Sequence, residues 1–376
     1  ADGHAQDNYG RTALDAAALF EHTETVEALE QLGSDNWEAA DTVQPLREAP
    51  AVAAVAPQPE PVAPGPVIPV PEPAQGFVSQ FAHLQAYSRA EVVEATNNFS
   101  YASVVGEGGF GKVYRGKLLG MPVAVKKLDQ DSIQGQAELR RELEVLGTLS
   151  HRHLVNLYGW CPEGSCIVYE LCERGSLEDC LHQLQWYDRV RVATEVCLAV
   201  LFLHKRKPIG VIHHDIKASN VLLDRYWNTK LSDVGLGNII CSSETRSIRR
   251  EPTYAMASKL VGTFAYMDPE YMISGEASFS SDIYSLGMLM LQVITGKPAH
   301  GDVTSRSIAE GALAGDTDSL VDKTAGQWPL PHALAFTELG LQCAMASRRR
   351  RPDLETEILP ALENLCVECS SISGVE

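Results

Sequence analysis

An acid, a lysine and an asparagine stand close together in the middle of this chain, between two apolar runs. Asp215 is followed two residues later by Lys217 and, three residues beyond that, by Asn220. This spacing suits the transfer of a phosphoryl group, since Asp215 would accept a proton from the attacking hydroxyl, Lys217 would neutralise the moving charge and Asn220 would hold a metal ion. Asp233 follows a strand-like run and supplies a second candidate metal ligand. The alternative is a surface loop with scattered acids.

The residues around this centre resemble the motifs of eukaryotic protein kinases. Residues 213–220 match the catalytic-loop pattern H-R-D-x-K-x-x-N, with His214 in place of the arginine. Residues 233–235 match D-F-G, with Val234 in place of the phenylalanine. The resemblance implies a two-lobed kinase fold of the α+β class that uses ATP and Mg²⁺, with the catalytic and metal-binding roles given above.

A glycine-rich run and a lysine-bearing strand lie upstream, in the order that the family has them. Residues 105–114 contain G-x-G-x-x-G-x-V. Dinucleotide-binding domains share this glycine spacing, but there it opens a helix, whereas here both flanks have the pattern of strands. Glycines let backbone N–H groups approach phosphates closely, where a Cβ would intrude. The resemblance assigns ATP contacts in this part to Gly106, Glu107, Gly108, Gly109, Phe110, Gly111, Val113, Ala124 and Lys126.

A helix and a strand-to-hinge passage complete the N-terminal part of the pattern. Apolar spacing predicts a helix over residues 137–149, whose Glu142 would form an ion pair with Lys126 and so belong to the ATP site. The adjacent Lys127 should point away, because side chains alternate along a strand. Residues 167–172 resemble the hinge of the family. They are expected to include the gatekeeper Tyr169 and the adenine-contacting Glu170 and Cys172.

The C-terminal part of the pattern begins with a mostly apolar helix, predicted over residues 187–204. Residues 233–270 would form the activation segment. By the same resemblance, Asp282 ties down the backbone of the catalytic loop, and Arg351 pairs with Glu270.

The first residues of the chain resemble an ankyrin repeat. Residues 12–17 stand where that family has T-P-L-H-x-A, with Ala13 and Asp15 as departures. One repeat cannot bury its own apolar face, so residues 1–40 are expected to be a frayed helical hairpin or the end of a longer array. A plain amphipathic helix pair is the alternative. An ankyrin-like segment would offer a surface for a protein partner.

A proline-rich tract separates this segment from the kinase-like region. Residues 45–76 hold ten of the twenty prolines, a composition that cannot form a packed core. We therefore expect a disordered linker over residues 41–76, with a proline-motif ligand as the alternative reading. A lead-in helix is predicted over residues 77–100, with Asn97 and Asn98 as its closing signal, and it resembles the helix before the kinase domain of plant receptor-like and related cytoplasmic serine/threonine kinases. A kinase domain is predicted over 101–366 and a tail over 367–376.

Composition narrows the possible partners and compartment. The formal net charge of −18 argues against nucleic acid or an anionic membrane surface, because both reward clustered lysine and arginine. No apolar run approaches the roughly 20 residues that a membrane-spanning helix needs. The nine cysteines lack a small secreted framework around them, which fits reduced thiols. The expected location is cytoplasmic.

These observations predict a kinase that transfers the γ-phosphate of ATP to protein hydroxyls in intracellular signalling. Lys217 and Thr263 together favour serine and threonine substrates. The competing hypothesis is a pseudokinase scaffold, which binds partners without phosphoryl transfer. It rests on the departures at His214 and Val234.

Overall fold

The computed structural model describes part of the chain. The described residues are 81–108, 111–128, 133–207, 209–234, 238–241, 263–299, 305–313, 315 and 320–373. They belong to the compact unit Val70–Glu376. The predicted ankyrin-like segment and proline-rich linker lie outside them, as do Gly109, Phe110 and most of the predicted activation segment.

The N-terminal part is built on a five-stranded sheet with the strand order β1-β2-β3-β5-β4. The strands are β1 (Val104–Gly108), β2 (Gly111–Leu118), β3 (Met121–Leu128), β4 (Leu157–Cys161) and β5 (Cys166–Glu170). All neighbouring strands pair antiparallel. Along β3 the side chains alternate, so Val123 and Val125 face one side of the sheet and Lys126 the other.

Two helices flank this sheet, α1 (Arg89–Ala95) and α2 (Ile133–Leu146). Ser88 caps α1 in a reciprocal hydrogen-bonding arrangement with Glu91. Helix α1 occupies only part of the range predicted for the lead-in helix, because it begins after its cap Ser88. It ends before residues 97–99, whose φ values of 51°, 57° and 52° a right-handed helix cannot contain, as the two asparagines there predicted. Helix α2 was predicted over residues 137–149. It begins four residues earlier than this range and ends three residues earlier.

The C-terminal part is mainly helical. Its helices are α3 (Leu177–Cys180), α4 (Trp186–Lys205), α5 (Pro269–Ser274), α6 (Phe279–Thr295), α7 (Ser305–Leu313), α8 (Leu330–Cys343) and α9 (Leu359–Ser373). Its short strands are β6 (Gly175–Ser176), β7 (Ile209–Ile212), β8 (Val221–Leu223), β9 (Thr229–Leu231) and β10 (Asn238–Cys241). They pair as β6-β8-β9 and β7-β10.

Single turns connect these elements. The 3-10 turns are Tyr101–Ser103, Leu181–Gln183, Ala218–Asn220, Phe264–Tyr266, Lys323–Ala325 and Arg348–Arg350, and a π-turn spans Leu354–Ile358. The prediction of a helix over residues 187–204 is confirmed by α4 to within one residue at each end. Among the described residues no helix is both long and apolar enough to cross a membrane.

Helix α6 forms the centre of the helical core. All of residues 281–295 are buried, as expected for a helix that is mostly apolar on every side. Gly287 lets α8 approach closely, since a Cβ there would lie 2.7 Å from the backbone nitrogen of Ala344. The core of α4, α6, α8 and α9 thereby forms a rigid base for the loop between β7 and β8, which carries the central sequence motif.

Candidate active site

A cavity of about 700 Å³ lies between the sheet and the helical part. Its walls include most of the residues that the sequence motifs single out. They are Gly106, Glu107, Gly111, Val113, Ala124, Lys126, Glu142, Glu170, Cys172, Asp215, Lys217, Asn220 and Asp233. Gly108 ends β1 beside them, and Gly109 and Phe110 lie outside the described residues.

Lys126 occupies the sheet side of the cavity, between two acids. Its Nζ lies 2.5 Å from Oε1 of Glu142 on α2 and 3.3 Å from Oδ1 of Asp233. The side chain of Glu142 is 2% exposed, whereas that of Asp233 is 46% exposed. Lys127 points to the opposite face of the sheet, where its Nζ lies 4.3 Å from the Phe99 ring. The pairing leaves one buried ammonium facing the cavity, which suits the binding of a phosphate.

Tyr169 adds a contact that sequence reasoning missed. Its hydroxyl donates a hydrogen bond to Oε2 of Glu142, so both oxygens of this buried carboxylate have partners. The motif placed Tyr169 at the entrance to the hinge but contained no signal for its hydroxyl. The geometry makes it a support for the lysine–glutamate pair.

The helical side of the cavity carries Asp215 in a dense set of hydrogen bonds. Asn220 donates from Nδ2 to Oδ2 of Asp215 at 2.8 Å, and Lys217 Nζ lies 2.8 Å from the same oxygen. Oδ1 accepts from the N–H of Thr263 at 3.0 Å and from its hydroxyl at 3.1 Å. Lys217 also donates to the Thr263 hydroxyl at 2.7 Å. One network therefore fixes the orientation of the carboxylate.

The pKa of Asp215 is lowered. Burial acts to raise this pKa, but the positive charge of Lys217 and the hydrogen bonds from Lys217 and Asn220 outweigh it. The carboxylate is therefore ionised at neutral pH. It can orient a hydroxyl donor and accept its proton as that proton is lost.

Asp282 on α6 holds the backbone of the loop, as the sequence motif implied. Its carboxylate accepts hydrogen bonds from the N–H groups of His213 and His214, each at 2.9 Å. His204 at the end of α4 contributes a further contact of 2.7 Å, which sequence reasoning did not identify. Burial acts to raise the pKa of Asp282. The contact with His204 and the nearby His213 and His214 lower this pKa by a larger amount. The net direction is downward, so this buried acid stays ionised.

His213 links the two candidate metal-binding segments. Its Nδ1 accepts a hydrogen bond from the N–H of Asp215 at 3.2 Å. Its Nε2, 2.9 Å from the carbonyl oxygen of Ser232, must therefore carry the proton and donate it. Because Ser232 precedes Asp233, this neutral histidine couples the position of Asp233 to that of Asp215.

The hinge is fixed by the side chain of Glu170. Its Oε1 accepts from the N–H of Asn156 at 2.7 Å and from Nζ of Lys230 at 2.9 Å. The thiol of Cys172, two residues further on, is buried, and this burial raises its pKa to about 12. It is therefore a neutral wall of the cavity at physiological pH.

The predicted pairing of Arg351 with Glu270 is wrong. Nη2 of Arg351 lies 2.7 Å from Oδ1 of Asp268, and Nε of Arg348 lies 2.7 Å from Oδ2. Glu270 instead accepts from the N–H of Arg348 at 2.9 Å, and its side chain is 45% exposed. A buried arginine requires a buried counter-charge, and Asp268 is the acid that the fold buries beside it.

A protein-family model described as "Protein kinase domain" matches residues 99–353, which is more than half of the chain. The chain belongs to the protein kinase domain family. A protein kinase domain implies ATP and a divalent metal ion.

Similar proteins from plants support the assignment. U-box domain-containing protein 70 of Oryza sativa subsp. japonica is 42% identical over 284 residues, which cover 74% of this chain and 34% of that protein. U-box domain-containing protein 52 of Arabidopsis thaliana is 40% identical over 297 residues, covering 77% and 34%. A probable LRR receptor-like serine/threonine-protein kinase of Arabidopsis thaliana is 36% identical over 307 residues, covering 79% and 31%. The chain spans about a third of the length of these curated relatives.

The residues present fit a nucleotide and its metal ion. Asn220 uses its Nδ2 to contact Asp215, which leaves its Oδ1 as an oxygen ligand of the type that Mg²⁺ prefers. The exposed carboxylate of Asp233 supplies another. At the start of β2, Gly111 has a φ of 153°, and a Cβ there would lie 2.1 Å from the carbonyl oxygen of Lys127. Only glycine therefore allows the start of β2 to lie this close to β3.

Proposed function

We propose that this chain is an active serine/threonine protein kinase that transfers the γ-phosphate of ATP to protein hydroxyls. The observation that carries the proposal is the network in which Asp215, Lys217 and Thr263 are mutually hydrogen-bonded. A scaffold without chemistry has no need to orient an ionised aspartate beside a lysine at the mouth of a cavity. Here the lysine lies 2.8 Å from the carboxylate and 2.7 Å from the threonine hydroxyl.

We assign the binding roles to the residues that line the sheet side. Lys126, held by Glu142, would contact the nucleotide phosphates, and the glycine-rich turn after β1 would cover them. Asn220 and Asp233 would hold the metal ion. When bound, the nucleotide and metal together supply the phosphoryl group and neutralise its charge. Backbone groups of the hinge at Glu170 and Cys172 would contact adenine.

The chemical roles belong to the helical side. Asp215 would orient the substrate hydroxyl and accept its proton, since its carboxylate is ionised and held at both oxygens. Lys217 would stabilise the charge that develops on the transferred group. Lys217 and Thr263 together support serine and threonine as substrates, because the resemblance implies that tyrosine kinases lack a lysine two residues after the catalytic acid.

The second candidate is a pseudokinase scaffold, favoured by the replacements at His214 and Val234. Two observations support catalysis over this alternative. The Lys126–Glu142 pair is formed, and Asp282 holds the loop backbone at His213. We also propose a cytoplasmic protein in intracellular signalling, with a protein partner for the ankyrin-like segment.

The test compares the full chain with two single variants in phosphate transfer from labelled ATP to casein and to itself. Asp215→Asn and Asp233→Asn should each lower turnover by orders of magnitude, because each removes a charge required for transfer. Asp215→Asn should keep nucleotide binding nearly intact, as measured by thermal shift with Mg²⁺ and ATP. Asp233→Asn should weaken the part of that shift that depends on magnesium. Wild-type protein that binds ATP but turns over no faster than Asp215→Asn would establish the scaffold instead.

A further inference from the structure

The segment that precedes β1 passes around one edge of the five-stranded sheet. β4 is the edge strand, and its Trp160 exchanges backbone hydrogen bonds with Gln85 at 3.0 Å and with Tyr87 at 2.9 Å. Gly159 permits this approach, since a Cβ there would lie 2.2 Å from the carbonyl oxygen of Gln85. Beyond this crossing, α1 packs Val92 against one face of the sheet. Before it, the chain lies on the other face, where α2 is found.

Phe81 is buried between this other face and α2. Its side chain is 2% exposed, and its ring packs edge-on to that of Trp160, with the centroids 5.7 Å apart. It belongs to one buried cluster with Leu139 and Leu143 of α2. Leu84 lies at the end of the same helix, where its δ carbons are 3.1 and 3.2 Å from the position that a Cβ on Gly147 would take. The lead-in segment therefore contacts α2 along its length and at its end.

Helix α2 joins these contacts to the active site. Leu139 and Leu143 are four residues apart and form one stripe, on the side of Phe81. Glu142 and Leu146 are also four residues apart and form a second stripe, which lines the cavity. Because the helix moves as a unit, a shift of the first stripe displaces Glu142 from Lys126. The two groups are in direct contact, so such a shift breaks the pair.

We propose that Phe81, supported by Leu84, is a positioning residue for phosphoryl transfer. It acts through α2 to keep Glu142 paired with Lys126, so residues 81–84 position the catalytic groups although they do not line the cavity. Nothing in the kinase motifs points to it, since Phe81 lies well upstream of the glycine-rich run. The proposal rests on the function proposed above, because its consequence is a rate of phosphate transfer.

The first experiment compares Phe81→Ala with Phe99→Ala in the full chain. Phe99 is the matched control, since it belongs to the same segment but packs on the opposite face, edge-on to Tyr114. We expect Phe81→Ala to lower kcat at least about tenfold, since small misplacements of catalytic groups have effects of this size. Phe99→Ala should change kcat less than about twofold when both are measured well below their melting temperatures. Phe81→Leu, which keeps an apolar side chain at the site, should restore most of the turnover.

Hydrogen exchange of the α2 amides supplies a readout that is independent of activity. In Phe81→Ala the amides of residues 139–146 should exchange about tenfold faster or more, while those of α4 remain unchanged. A general loss of stability would accelerate both helices alike, and that result would overturn the proposal. Equal effects of Phe81→Ala and Phe99→Ala on α2 would overturn it as well.

A second perturbation displaces the segment without touching α2. Gly159→Ala forces its Cβ against Gln85 and should reproduce the loss of turnover. Gly311→Ala is the control, because a Cβ there meets nothing within 4 Å. Full activity in Gly159→Ala, with α2 exchange unchanged, would count against a role for the segment.

A double-mutant cycle tests the route through Glu142. If Phe81 acts through the ion pair, Phe81→Ala should lower kcat by less than about twofold in a Glu142→Gln background. If Phe81→Ala lowers kcat by the same factor in the Glu142→Gln background as in the wild type, Phe81 does not act through the ion pair. If the wild type shows no turnover above Asp215→Asn, the proposed function fails, and the exchange of α2 alone then decides whether Phe81 positions the helix.

Discussion

The hydroxyl of Tyr169 donates a hydrogen bond to one oxygen of Glu142, while the other oxygen lies 2.5 Å from Nζ of Lys126. Tyr169 on β5 and Lys126 on β3 thus both contact the buried carboxylate of Glu142 on α2. Because Glu142 is 1% exposed, water cannot readily replace either partner. The position of the lysine depends on both contacts.

Tyr169→Phe should therefore lower kcat/KM for ATP. Removal of one donor from a buried charged acceptor costs about 1–3 kcal/mol, which corresponds to about 5- to 150-fold in rate if the cost falls on the active arrangement. Steady-state kinetics with varied ATP would measure it. Tyr101→Phe is the control, since Tyr101 is 84% exposed. An unchanged kcat/KM in Tyr169→Phe would show that the tyrosine hydroxyl does not support the pair.

Val234→Phe should stabilise the protein or raise its turnover. Val234 is 1% exposed, packs in the same cluster as Leu146 and borders the cavity, so a larger ring has open space on one side. In the family the phenylalanine packs between the loop histidine, here His213, and a residue of the helix, here Leu146. Thermal unfolding and kcat would be measured together. A clear loss of both would show that the ring overpacks the site.

His214 should make the basal rate independent of phosphorylation in residues 242–258, which lie outside the described residues. Burial lowers the pKa of His214 below its ordinary value, although Asp282 opposes this shift. The imidazole is therefore neutral at pH 7 and cannot replace an arginine in a bidentate contact with phosphate. Wild type treated with phosphatase, and a variant with alanine at the six serine and threonine residues of that stretch, should both retain turnover. A loss of about tenfold or more in both would contradict the prediction.

Asp268→Asn should strongly destabilise the fold, because it removes the buried counter-charge of Arg351 and leaves Arg348 with the longer ion pair to Glu270. Loss of one partner from a buried pair typically costs about 3–5 kcal/mol in the free energy of unfolding. Glu270→Gln is the matched control and should cost at most about 1 kcal/mol, since the carboxylate is 45% exposed. Urea unfolding at pH 7 would measure both. If Glu270→Gln lowered the free energy of unfolding more than Asp268→Asn does, the result would support the pairing of Arg351 with Glu270 that the family resemblance implied.

The contribution of Asp268 to the free energy of unfolding should decrease at low pH. Burial acts to raise its pKa, but Arg351 and then Arg348 lower it further, so its folded pKa lies below the unfolded value. A group of this kind stabilises the fold fully above its unfolded pKa of about 4, and the stabilisation is lost as pH falls through the folded value. The difference in unfolding free energy between wild type and Asp268→Asn should therefore be constant from pH 5 to 8. It should shrink below about pH 4.

Much of the fold was predictable, because its signals are local. The periodicity over residues 187–204 corresponds to α4 with an error of one residue at each end. The limits of α2 were less accurate, since the residues before position 137 carry no large apolar stripe. The end of the lead-in helix was predictable from Asn97 and Asn98, which adopt the left-handed conformation, whereas its start at Arg89 lies later than predicted.

The sequence by itself determined the order of the motifs, the strand that bears Lys126 and the loop that bears Asp215. These follow from spacing, alternation and residue chemistry within short windows. Only the tertiary structure decided which distant groups meet: Arg351 with Asp268, Tyr169 with Glu142, and Phe81 with α2. Such pairs join positions up to 83 residues apart. Their partners are set by the relative placement of whole elements, and several acids or apolar groups of equal local character compete for each place.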